Sequence, residues 1–82
     1  SGVAICDEYV AAVARFTACP MVPEAASDAA RETLVAERGG WAAVDRHDAE
    51  AVAALEQRCA AALRAITQTS AGLGCEVEPE DE

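Results

Sequence analysis

CDEYVAAVARFTAC, running from Cys6 to Cys19, decides how this chain folds. Within it Cys6, Tyr9, Val10, Val13 and Phe16 recur at three- and four-residue intervals, which is one apolar stripe of a helix. Asp7 and Glu8 fall in its first turn, where acids suit the positive end of the helix dipole. The spacing predicts a helix from Val3 to about Ala18. Pro20 ends it, because the residue before a proline is pushed away from helical geometry. Cys19 therefore sits at the helix exit. A helix holds Cys6 and Cys19 about 20 Å apart at ~1.5 Å of rise per residue, whereas a disulfide needs its Cα atoms within roughly 7 Å. The two cannot bond to each other, so each needs a distant partner.

Two more cysteines, Cys59 and Cys75, are available. After the short connection Met21, Val22 and Pro23, a second helix begins, with Pro23 suited to its first position and Glu24 in the opening turn. Ala26, Ala30, Leu34 and Val35 are expected on its buried side. Gly39 and Gly40 are expected to end or bend it, with Trp41 to Val44 read as a kinked continuation. Asp45 or Asp48 can cap a third helix by accepting bonds from free amides, and Asp48 has the better sequence context. From Ala49 to about Thr69 the residues Val52, Leu55, Cys59, Ala62, Leu63 and Ile66 keep helical spacing, and Val52, Cys59, Ile66 and Leu73 fall seven apart, as in a packing seam. Gly72 and Gly74 are expected to turn the chain before Cys75.

Long-range pairing leaves two connectivities. In an up-down-up bundle the first and third helices run parallel, so Cys6 faces Cys59 while Cys19 and Cys75, each beyond a helix end, meet at the other pole. The competing pairing, Cys6–Cys75 with Cys19–Cys59, belongs to a disulfide-linked helical hairpin crossed by the second helix. The parallel arrangement is preferred. The expected fold class is all-α, a small disulfide-stapled three-helix bundle. Each bridge would close a loop of more than fifty residues, worth at most ~4 kcal/mol by chain-entropy reasoning.

Composition explains why staples are needed. An 82-residue chain buries a modest fraction of its surface. Much of its 52% hydrophobic content is alanine, which favours helix but contributes little burial. Six Arg with no Lys and no Asn suggest a GC-rich, bacterial genome. The net charge of −9 argues against nucleic acid and anionic lipid as partners, and no apolar run approaches the ~18 residues of a membrane span. Ser1-Gly2 reads as a protease-cleavage remnant with no leader-like features in the stretch that follows. Residues 3–75 read as one helical domain, and residues 76–82, with five acids, as a disordered acidic tail or linker. An even cysteine count without metal-type spacing favours a secreted, periplasmic or cell-surface location.

Chemistry-bearing residues are few. The cysteine intervals of twelve, thirty-nine and fifteen residues lack the close pairs of a zinc knuckle. They equally lack the vicinal thiols of a redox protein. His47, the single histidine, lies between Asp45 and Asp48 and reads as an exposed residue at a helix start rather than a metal ligand or general base. No nucleophile motif or phosphate loop is present. The sequence therefore predicts no enzyme, no cofactor and no metal. The aromatics Tyr9, Phe16 and Trp41 read first as side chains that plug the gaps of an alanine-rich core; of the three, Trp41, after two glycines, is the one most open to partial exposure and is the candidate contact anchor.

Cys6, Tyr9 three residues on, Cys19 beside the Pro20–Pro23 turn, Trp41, and the late pair Cys59 and Cys75 resemble the pattern of small secreted four-cysteine helical domains of myxobacteria and related GC-rich bacteria. The resemblance spans residues 6–75 and implies an exported location with no assigned activity. Twin-cysteine hairpins of the mitochondrial intermembrane space have shorter, equal spacings, and saposin-like lipid binders carry six cysteines. The expected function is a non-enzymatic exported interaction or structural module, whose partner is another protein, the rest of a longer surface protein, or a second copy in a homodimer. The alternative is a small helical carrier of an apolar ligand or lipid.

Overall fold

A computed structural model describes residues 2–75; Ser1 and residues 76–82, where an acidic tail is expected, lie outside the described residues. Three helices follow in order: α1 (Ala4–Ala18), α2 (Glu24–Ala42) and α3 (Ala49–Leu73). Two disulfides, Cys6–Cys59 and Cys19–Cys75, join α1 to α3 at Cα separations of 5.0 and 6.2 Å. Both bridges advance in the same chain direction, so α1 and α3 run parallel. Tyr9 meets Trp41 and Glu37 near one end of α2, and the chain between α1 and α2 is short, so α2 returns antiparallel. This is the up-down-up arrangement.

The helices do not form an even triangle. α1 packs against both α3 and α2, whereas α2 and α3 barely meet. The Cα trace measures 40 × 30 × 15 Å, a plate with α1 in the middle. Burial is divided between two clusters, each holding one disulfide. The first gathers Val3, Tyr9, Val13, Trp41 and Leu55 around Cys6–Cys59, and the second gathers Ala12, Phe16 and Val22 around Cys75. Leu55 and Cys6 are fully buried, and Cys59 is nearly so.

Local chemistry sets the ends. Asp48 accepts hydrogen bonds from the backbone amides of Glu50 and Ala51, as its position before α3 predicts. Pro23 is the residue before α2 rather than its first, and its carbonyl accepts from the amides of Ala26 and Ser27. α2 does not stop at Gly39 and Gly40 but continues to Ala42. Each glycine costs a helix about 1 kcal/mol relative to alanine. Continuation keeps Trp41 seven residues from Leu34 on the α1-facing stripe, where its indole meets the Tyr9 ring edge-on at 6.2 Å. Beyond Ala42, Arg46 Nη1 donates to the carbonyls of Trp41 and Val44, placing a cation at the negative end of the helix.

α3 runs one turn past its expected end, through Gly72 to Leu73. Ser70, fully buried, donates from its hydroxyl to the Ile66 carbonyl, and Gly74 adopts φ +83°, the left-handed conformation that glycine accepts readily. The Cys75 amide then reaches back to the Ser70 carbonyl, a helix-ending motif that turns Cys75 towards Cys19. Val35, expected on the buried side of α2, is 72% exposed instead, because the stripe facing α1 passes through Ala30, Leu34 and Trp41. Val22, in the first connection, is buried.

Candidate functional site

Because α2 and α3 splay, a groove opens between them with α1 as its floor. Its deeper end is a cleft of about 310 Å³ lined by Tyr9, Glu37, Gly40, Trp41, Arg58, Cys59 and Ala62. Towards the Cys19–Cys75 pole it broadens into a shallower space of about 460 Å³, floored by Tyr9 and Phe16. One wall there is Ala26, Ala30 and Thr33 of α2, and the other is Ala65, Ile66 and Thr69 of α3. Tyr9, Glu37 and Ala62 border both spaces, so the two are parts of one groove.

Helical spacing builds these walls. Ala26, Ala30, Thr33, Glu37 and Gly40 follow one another at intervals of four and three along α2, and Arg58, Ala62, Ala65 and Thr69 do the same along α3. Side chains this small leave backbones exposed to close approach and give the groove a smooth interior.

Two charged groups interrupt it. Glu37, half-buried on α2, accepts a 2.6 Å hydrogen bond at Oε1 from the Tyr9 hydroxyl. Burial raises the Tyr9 pKa well above its ordinary value, and the Glu37 hydrogen bond and negative charge push it further in the same direction. Tyr9 is therefore a fixed donor, held neutral at any physiological pH. Arg58, on the α3 wall of the same cleft, is exposed and makes no hydrogen bond or ion pair among the described residues.

Trp41 is placed differently from the expectation. It is 6% exposed and forms the end wall of the cleft rather than a projecting anchor, since the uninterrupted α2 keeps it turned towards α1. His47 lies in the exposed turn between α2 and α3, where its backbone amide donates to Asp45 Oδ1. Asp48 is occupied in capping α3. No group of three metal-ligating side chains converges among the described residues. Cys6, Cys19, Cys59 and Cys75 are all consumed in the two bridges.

Glu37 and Arg58 went unnoticed in the sequence, although the small-residue intervals that carry them are legible there. The arrangement offers shape, an apolar lining and one charge of each sign. It pairs no activated nucleophile with a base. No protein family, curated protein or solved structure matches the chain.

Proposed function

We propose that this chain is an exported, non-enzymatic interaction module whose contact face is the groove between α2 and α3. One observation carries the reading: two helices that flank a common core leave their facing sides apart, and those sides are lined mainly by alanine, glycine and threonine, with Glu37 and Arg58 the charged groups among them. An exposed apolar face rimmed by polar groups marks an interaction site more often than a solvent boundary.

Export is supported by the two disulfides, which form and persist in oxidising compartments. No helix among the described residues is long and apolar enough to cross a membrane. The net charge of −9 turns the module away from nucleic acid and anionic lipid. A bacterial source, read from the arginine-only basic residues, fits the same picture.

The carrier reading draws on the 310 Å³ cleft, which lies at the lower bound of small-molecule pockets. Its walls are splayed rather than enclosing, which favours a macromolecular contact over a sequestered ligand. Native mass spectrometry of the purified chain separates the two, since a carrier retains co-purified lipid.

A photo-crosslinking residue placed at Ala65, on the groove wall, tests the interaction reading in the source cell. Crosslinks from Ala65 and none from the exposed far-side position Val35 are the expected result. Silence at Ala65 under conditions where the protein is exported and oxidised would remove the groove as a contact face.

A further inference from the structure

Resting on the interaction reading above, we propose that the face bearing the groove docks on a second copy of this chain, about a two-fold axis parallel to the helices. The argument begins with Glu37 and Arg58. They stand on opposite walls, α2 and α3, and line one cleft, so they lie within about a turn of each other along the helix direction. They form no ion pair with each other. Rotation about an axis parallel to the helices exchanges left and right without changing level. It therefore sets α2 of one copy against α3 of the other, and brings Glu37 opposite the partner's Arg58. The symmetry supplies the reciprocal pair at once, because a two-fold interface uses the same patch on both copies. An axis running across the helices would instead set α2 against α2 and leave both charges facing their own kind.

Three further observations fit this partner. The walls bear small side chains at Ala26, Ala30 and Thr33 and at Ala62, Ala65 and Thr69, so facing helices can approach closely along those stretches. The plate's broad side, 40 × 30 Å, exceeds the ~800 Å² per partner of a standard stable interface. A four-layer assembly would also give α2 and α3 the second helical neighbour that each lacks in the single copy. The net charge of −9 on each copy opposes association at long range, but a screening length of about 8 Å at physiological salt leaves the local pairs to decide.

Sedimentation velocity of the oxidised 82-residue chain at physiological salt, from micromolar to millimolar, supplies the first measurement. The expected result is a monomer–dimer equilibrium. R58E converts both attractive pairs into like-charged ones and is expected to weaken the dimer by more than about a hundredfold. E37R does the same, and an equimolar mixture of R58E with E37R is expected to restore a dimer, because every facing pair is then of opposite sign. E37R also removes the acceptor of the Tyr9 bond, so A65W, at an exposed wall position, provides a variant that blocks the groove without touching the core. A chain that stays monomeric up to millimolar, or a dimer indifferent to both R58E and A65W, overturns the proposal. Crosslinks from Ala65 to another copy support it. Crosslinks only to a different protein overturn self-association and leave the interaction reading standing, while no crosslink at all defeats both.

Discussion

The Tyr9 hydroxyl donates to Glu37 Oε1 at 2.6 Å, a polar tie between α1 and α2 at the floor of the groove. Tyr9 is the only tyrosine in the chain, so its ionisation can be followed alone. Unfolded tyrosine ionises near pH 10, whereas burial and the Glu37 carboxylate hold the folded side chain neutral well beyond that point. The unfolded state therefore loses its proton first. The stability from this group is complete below about pH 10 and is lost as pH rises further towards the folded pKa. Tyrosinate absorbance is expected to appear only together with unfolding, and the alkaline loss is expected to be smaller in Y9F. A simple titration near pH 10 in the folded protein would contradict the buried bond.

The two disulfides are expected to differ. Cys6 and Cys59 are shut inside the first cluster, while Cys19 is partly exposed at the exit of α1. Timed reduction under native conditions, read by differential alkylation and mass spectrometry, should open Cys19–Cys75 first. Removing either bridge forfeits at most about 4 kcal/mol of chain-entropy stabilisation, less because the two loops overlap, and C6A/C59A adds the cost of emptied core volume. It should lower the melting temperature more than C19A/C75A does.

Two glycines should respond in opposite directions to alanine. Gly39 lies within α2, and a Cβ there would meet nothing within 4 Å. G39A is expected to stabilise by about 0.5–1 kcal/mol. Gly74 has equal room but sits at φ +83°, so G74A is expected to cost about 1 kcal/mol or more and to misdirect Cys75. Denaturant melts of both variants provide the comparison.

Core and cap can be ranked on α3. L55A removes a fully buried side chain and should cost about 2–5 kcal/mol. D48A removes a cap that accepts from two amides and should cost about 1 kcal/mol. V35A, on an exposed face, should change stability by less than about 0.5 kcal/mol.

Much of this architecture was legible beforehand because covalent geometry is unforgiving. Cys6 and Cys19 on one helix cannot bond, and parallel helices then bring Cys59 and Cys75 to the right poles. Asp48 was readable as a cap because its role is local. Less visible were features decided by choices among similar faces. α2 is rich in alanine on several sides, so periodicity could not say that Val35 would face outward. The groove was hidden for the same reason. Stripes of alanine mark a face that permits close packing, but whether α2 and α3 close on each other depends on where α1 and the sulfur bridges hold them. Trp41 takes the core-filling role that aromatics among alanines favour, and its seven-residue distance from Leu34 is the guide that its glycine neighbours obscure.

Both sulfur bridges span the same pair of helices, and α2 carries no cysteine at all. The molecule is thus a riveted two-helix frame with a third helix leaning on it, held by side-chain packing and by its two flanking loops. Such a helix can lift away while the frame stays intact, a partial opening that costs less than global unfolding. Amide exchange should report this hierarchy, with α2 losing protection well before the bridged stretches of α1 and α3. Reduction would erase the difference, leaving all three helices to exchange together.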